Sequence, residues 1–179
     1  MLAESGHHVT TRRASDPELT SELRSHGAVV VGASIRYGRH ARVLEDWVRA
    51  NLASITARPN AFFSVSLSAG GPNPKPDVAE GYVAEFRRRT GWHPGRTAIF
   101  AGALRYTTYR PWIRWLMRFI VGRAGGETDT SRDYEYTDWD AIDRFARVLA
   151  SSLSPEGAQR CAADRSETTL QTSGGQGNR

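Results

Sequence analysis

The chain has a single cysteine, Cys161, and a single lysine, Lys75, among its 24 basic residues. One cysteine excludes an internal disulfide and suits a reducing compartment. No apolar run approaches the ~20 residues that a bilayer-spanning helix needs, and the polar start of the chain holds no apolar signal segment. The chain is therefore read as cytoplasmic. The histidines at positions 7, 8, 26, 40 and 93 fall at no metal-ligand spacing, and no serine or cysteine triad stands out. Metal and hydrolase chemistry have nothing to build on. No acid interrupts the segment from Arg105 to Arg123. The net charge of +5 is carried almost wholly by arginine, so its placement says more than its total. Arg87-Arg88-Arg89 invites a nucleic-acid reading, but these residues end an amphipathic helical pattern, where cations suit the helix dipole. No nucleic-acid partner is expected.

At 179 residues the chain is long enough for one domain with a real core. His8–Arg13 reads as a short edge strand, and Asp16-Pro17 as the cap and first position of a short helix. Ala28–Gly32 is a continuous valine-rich run, the pattern of a strand covered on both faces in the middle of a sheet. From Ala41 to Ile55 the residues Val43, Leu44, Trp47, Val48, Leu52 and Ile55 recur at helical spacing. A strand over Ala61–Leu67, a Gly-Pro loop, and a helix over Pro76–Thr90 with Val78, Tyr82 and Phe86 on one face follow. Thr97–Ala101 is a third strand, which Tyr134–Tyr136 would resume beyond an insertion. Thr137 can cap a last helix to about Leu153, with Trp139, Ile142, Phe145, Ala146, Leu149 and Leu153 as its buried stripe. The polar, glycine-rich composition of 154–179, with almost no large apolar residues, predicts a disordered tail.

Strands alternating with helices predict an α/β fold, a doubly wound parallel sheet with helices on both faces and a ligand crevice beyond the carboxyl ends of its strands. Three loops would converge there: Ser34–His40, Ser66–Asn73 and Leu104–Tyr109. In the first, Tyr37 offers a ring face and Ser34 a hydroxyl, and Gly38 supplies backbone freedom. A plain strand-to-helix turn would use the same residues. On a helical wheel over Pro111–Gly122, Arg110, Arg114 and Arg118 share a narrow sector opposite Trp112, Trp115, Leu116 and Phe119. Such a helix can lie among lipid headgroups or pack as a core helix with solvated arginines.

The segments Gly32-Ala33-Ser34-Ile35-Arg36-Tyr37-Gly38, Phe62-Phe63-Ser64-Val65, Ala101-Gly102-Ala103-Leu104-Arg105-Tyr106, Gly125-Gly126-Glu127-Thr128-Asp129-Thr130 and Tyr136-Thr137-Asp138-Trp139, in this order, resemble the menaquinone-dependent protoporphyrinogen IX dehydrogenases. These are flavodoxin-like proteins, and the resemblance runs from about Ala28 to Leu153. Members of that family open with a strand and a hydroxyl-and-glycine loop that holds a phosphate; nothing similar precedes Leu2–Ser5. The expectation is an N-terminally truncated chain, either because its start was placed at an internal methionine or because it is an inactive relic. The expected domain spans 1–153, with an insertion at 105–126.

The resemblance implies FMN as cofactor, with Ser34, Ile35, Arg36, Tyr37, Gly38, Ser66, Leu67, Leu104, Arg105 and Tyr106 around it. It implies protoporphyrinogen IX as substrate, menaquinone or another quinone as electron acceptor, and a role in haem synthesis. Arg36, Arg39, Arg105 and Arg110 would meet the substrate's propionates, since guanidinium groups pair with carboxylates in bidentate fashion. Arg39, Arg110, Trp112, Arg114, Trp115, Arg118 and Phe119 form the expected substrate or membrane surface, against anionic lipid on the inner face of the cell membrane. No side chain is expected to act as a catalytic acid or base. A flavodoxin-like electron carrier or membrane-docked binding module is the alternative.

Overall fold

In the computed structural model the described residues are 2–104, 106–108, 110, 112, 115, 118–119, 121–122 and 128–153. Expectations for the tail at 154–179, and for Arg105, Tyr109, Arg114, Leu116 and Gly125–Glu127, fall outside them. The chain forms two compact units, one of residues 11–142 and one joining 1–10 to 143–179. In the second unit Leu149 and Ala150 are the buried helical residues.

The first unit contains a parallel sheet of β1 (Val29–Ser34), β2 (Asn60–Ser66) and β3 (Arg96–Ala101), in that spatial order. Its register pairs Ser34 with Val65 and Ser66 with Ala101, so the three carboxyl ends finish at one level. α1 (Leu19–Ser25) precedes β1, α2 (Arg42–Ala50) and α3 (Leu52–Thr56) join β1 to β2, and α4 (Pro76–Thr90) joins β2 to β3. A two-residue antiparallel pair, β4 (Ala103–Leu104) with β5 (Tyr134–Glu135), closes the base of the insertion, and α5 (Trp139–Leu153) follows.

The core forms on one face of the sheet. Leu23 of α1, Leu44 and Val48 of α2, Ile55 of α3, and Val83 and Phe86 of α4 meet Val31 and Phe62, with Trp92 beside them. Phe62 and Phe86 stack at 4.4 Å, and both are fully buried with Trp92 and Ile55. Each such side chain contributes roughly 1.5–3 kcal/mol of transfer free energy. Two polar side chains tie the helices down. Asn60 donates to the Ile55 and Arg58 carbonyls and accepts from the Gly95 N–H. Arg58 donates to the Leu23 and His26 carbonyls, where a cation meets the carboxyl end of α1. On the opposite sheet face Gly32 makes room for Phe63, because a Cβ at Gly32 would overlap the Phe63 ring.

Several expectations are corrected. His8–Arg13 is coil: Val9 is its only apolar residue and is exposed, while Arg12 pairs with Glu22. β1 was expected in mid-sheet, but among the described residues it pairs only with β2 and forms an edge. Asp16 does not cap a helix at Pro17. Its carboxylate accepts the Glu18 N–H at 3.0 Å in a local turn, and α1 begins at Leu19. The single helix expected over Ala41–Ile55 breaks at Asn51, whose side chain donates to the Trp47 carbonyl and whose backbone leaves the helical region. Val43 is exposed. In α4 the buried stripe is Ala79, Val83, Phe86 and Thr90, one position on from Val78 and Tyr82. Thr90 can be buried because its hydroxyl donates to the Phe86 carbonyl and accepts the Trp92 N–H. Asp138, not Thr137, caps α5 by accepting the Ala141 N–H at 2.9 Å; Thr137 instead donates to the Ala101 carbonyl. Trp139 is 62% exposed rather than part of the α5 stripe.

Candidate functional site

The carboxyl ends of β1, β2 and β3 bring two of the three expected loops side by side. Ile35 donates its N–H to the Val65 carbonyl at 2.8 Å, which locks the exit of β1 beside the exit of β2. The next four residues form a tight hairpin. Arg36 and Arg39 exchange backbone hydrogen bonds of 3.0 and 3.3 Å, and the two residues between them, Tyr37 and Gly38, have φ of 52° and 75°. Positive φ at both central positions is the signature of a type I′ turn, which glycine enters freely. Tyr37 enters it at a cost of roughly 1–2 kcal/mol. It is the only non-glycine residue with positive φ among those described, and its side chain is 87% exposed. Strain that serves no packing is a mark of a display position. Arg36 and Arg39 are exposed on either side of it with no acidic partner among the described residues, and Ser34 is exposed too.

Below the hairpin lies a group that the sequence reading missed as functional. His40 is buried, its Nε2 lies 3.0 Å from Ser64 Oγ, and its ring meets Phe62 and Phe86 edge-on at 5.5 and 5.1 Å. Burial in this apolar box pushes the imidazole pKa down to about 4. His40 is therefore neutral at neutral pH. A histidine directly after an Arg-Tyr-Gly-Arg turn was the available signal, but sequence alone does not say which way its ring points.

At the end of β2, Ser66 Oγ is buried and has no hydrogen-bond partner. Such an orphan is uncommon and calls for a ligand or water. Arg87 Nε and Trp92 Nε1 are also orphaned, but only Ser66 stands at a strand's carboxyl end. Leu67 opens the 3-10 turn Leu67–Ala69. The following loop presses onto β3: a Cβ at Gly70 would come within 2.5 Å of the Ala101 Cβ, and Gly71 lies beside the Tyr136 ring. Tyr136 in turn is nearly parallel to Tyr134 at 6.3 Å. These two tyrosines wall the third loop and were read from sequence only as strand residues.

In that third loop Leu104 and Tyr106 are almost wholly buried, and Tyr106 meets Tyr134 edge-on at 6.3 Å. Their side chains support the loop from beneath; they are not displayed on it. The base of the insertion is stapled where the Thr107 N–H and hydroxyl both donate to the Asp133 carboxylate at 2.8–2.9 Å. Within the insertion, Trp112, Trp115 and Phe119 are helical and 61%, 69% and 60% exposed, with Trp115 and Phe119 stacked at 6.3 Å. Arg110 and Arg118 are exposed without an acidic partner among the described residues. Among those residues no helix is long and apolar enough to cross a membrane.

The arrangement offers groups suited to binding. Tyr37 offers a ring face, Ser34 and Ser66 offer hydroxyls, and Arg36 and Arg39 offer cations, around parallel strand ends in a nucleotide-type α/β sheet. A flavin ring needs an aromatic face and polar partners at its edge, and the displayed Tyr37 with the orphaned Ser66 hydroxyl fits that need. A separate cleft of about 440 Å³ between α2 and α4 is lined by Arg42, Glu45, Asp46, Arg49, Arg88 and Arg89. Some of its charges are paired, with Arg89 3.6 Å from Glu45, and Arg88 and Arg89 2.7 and 2.6 Å from Glu85 outside the lining.

Parallel strands joined by helices, with candidate ligand loops at their carboxyl ends, define a flavodoxin-type domain. The chain belongs to the flavodoxin-domain family, which it matches over residues 1–131. A flavin is the cofactor that this family implies. Among named proteins, the chain is 38% identical over 129 residues to the protoporphyrinogen IX dehydrogenase [quinone] of Escherichia coli (strain K12), a match covering 72% of this chain and 71% of the relative. It is 37% identical over the same length to the Leishmania major protein of the same name, of which it covers 56%. Dehydrogenases are oxidoreductases, and that is the reaction class of the chain's relatives. No solved structure matches the chain.

Proposed function

We propose that the protein is an FMN-dependent enzyme that oxidises protoporphyrinogen IX to protoporphyrin IX and passes the electrons to a membrane quinone, menaquinone in particular, as a step of haem synthesis. The observation that carries this reading is the strained Arg36-Tyr37-Gly38-Arg39 hairpin, exposed at the strand ends of a chain 38% identical to a dehydrogenase of that name. FMN supplies the redox chemistry when bound, taking reducing equivalents in pairs and releasing them to the quinone. The chain's own residues bind and orient. Tyr37 gives the ring a face. Ser34, Ile35, Arg36, Gly38, Ser66 and Leu67 would surround its polar edge, with the backbone of Leu104, Arg105 and Tyr106 supplying the third side. Arg36, Arg39, Arg105 and Arg110 grip the substrate's propionates, because a guanidinium matches a carboxylate in geometry and charge. No protein side chain serves as catalytic acid or base.

A quinone dissolved in lipid calls for a docking surface. Trp112, Trp115 and Phe119 are exposed aromatic residues on a helix whose flanking charges, including Arg110, Arg114 and Arg118, are all positive. In this reading they rest in the headgroup region of an anionic membrane, with the protein peripheral on its inner face. The domain spans 1–153 with its insertion at 105–126. The test is direct. Purified protein with FMN, protoporphyrinogen and a menaquinone analogue should form fluorescent porphyrin faster than autoxidation, with one quinone reduced for each electron pair removed. FMN bound without turnover would instead indicate an electron carrier, and neither binding nor turnover would end the proposal.

A further inference from the structure

The hairpin Arg36–Arg39 projects from the sheet, yet two anchors fix its ends to neighbouring residues of one strand. On the entry side the Ile35 N–H donates to the Val65 carbonyl at 2.8 Å. On the exit side His40 Nε2 and Ser64 Oγ are 3.0 Å apart. Between the anchors the turn holds Tyr37 at φ 52°, a conformation that would relax if either end came loose. The first anchor is backbone and belongs to any continuation of the β1 ladder. The second is a side chain, is buried, and has no other role in the core: an apolar ring would fill the Phe62 and Phe86 box as well without the cost of burying a polar group. Ser64, itself 1% exposed, is the only hydrogen-bond partner of His40 among the described residues. Two buried polar side chains that satisfy only each other, directly beneath a strained and exposed turn, make a peg.

We infer that His40 is a positioning residue: through Ser64 it pins the Arg36–Arg39 hairpin to β2 and so keeps Tyr37 and both arginines preorganised for a planar, negatively charged ligand. A preorganised loop loses less conformational freedom on binding, so the peg raises affinity without touching the ligand. The ligand part of this inference rests on the proposed cofactor site. The mechanical part does not.

The hairpin carries its own reporter, because trypsin cleaves after Arg36 and Arg39 and cleavage follows the population of the open form. Cofactor-free protein is digested briefly and the cut sites are read by mass spectrometry. His40→Phe, which keeps a ring in the box but orphans Ser64, should raise cleavage at Arg36 and Arg39 about tenfold, while cleavage at Arg49 and Arg89, each followed by a residue other than proline, stays at the wild-type rate. Ser64→Ala should do the same, the double variant should add little to either, and His40→Gln, which can still reach the hydroxyl, should restore protection. FMN affinity, read by quenching of flavin fluorescence, should weaken in His40→Phe and recover in His40→Gln. Unchanged cleavage at Arg36 and Arg39, or an equal rise at all four sites, would overturn the inference. Should His40→Phe fail to fold, Ser64→Ala decides by the same readout. If wild-type protein takes no FMN, the proposed function fails while the cleavage pattern still judges the peg.

Discussion

Acid should destabilise this protein through His40 well before its carboxylates are exhausted. The imidazole is buried against Phe62 and Phe86 with a neutral hydroxyl as its partner, and burial lowers its pKa from 6.5 to about 4. In the unfolded chain the group returns to about 6.5. Between these values the unfolded chain holds a proton that the folded chain rejects, so stability falls as pH falls. The contribution is complete above about pH 6.5 and lost as pH approaches 4. Applying the linkage relation, the loss is about 1 kcal/mol at pH 5.5 and roughly 2–3 kcal/mol at pH 4.5, approaching its ceiling near pH 4. Urea unfolding followed by tryptophan fluorescence at pH 7.5, 5.5 and 4.5, in wild type and His40→Gln, measures it. Carboxylates beside guanidinium groups, such as Glu22 with Arg12 and Glu85 with Arg88, titrate in both proteins, so the difference between the two curves isolates His40. By pH 4.5 the wild type should have lost roughly 2–3 kcal/mol more than the variant. Parallel curves would refute the claim that this histidine is buried and neutral.

Replacing Trp112, Trp115 and Phe119 together by serine should cut cosedimentation with anionic liposomes at least tenfold. Because all three are at least 60% exposed, the unfolding free energy should move by no more than about 0.5 kcal/mol per site; unchanged lipid binding would remove the membrane surface from the proposal. Tyr37→Asn should stabilise the protein by about 1 kcal/mol by relieving left-handed strain, while weakening FMN binding because a ring face is lost. Thermal unfolding and flavin titration should therefore move in opposite directions, and a destabilised Tyr37→Asn would show that the turn is not strained. Gly32→Val should cost about 1–3 kcal/mol by driving a side chain into Phe63, visible as a lower urea midpoint. An unshifted midpoint would mean that the Phe63 ring moves aside freely.

Much of the scaffold was legible because it depends on local pattern. The valine run at 29–31, the apolar stretch at 61–65 and the 76–90 helix, with Pro76 at its start and left-handed Gly91 at its end, need only neighbours along the chain to declare themselves. The positions of the candidate loops followed, since parallel strands in register end together. Other features depended on what comes near in space. Periodicity located an apolar face on α4, but the sheet selected the row containing Ala79 and Thr90, because small residues permit close approach and Thr90 can satisfy its own hydroxyl. Trp139 has every sequence mark of a core residue and lies exposed, whereas His40 has none and is buried. Which residue caps α5, whether His8–Arg13 becomes a strand, and which loop arginines stay unpaired were likewise decided by tertiary partners. The sequence by itself determined a flavodoxin-type α/β chain and the address of its candidate ligand loops. Only the tertiary structure decided that Tyr37 is held in strain, that Ser66 waits unpartnered and that His40 pegs the turn, because burial and hydrogen bonding between residues distant in sequence are properties of contact, and contact is not written in any single segment.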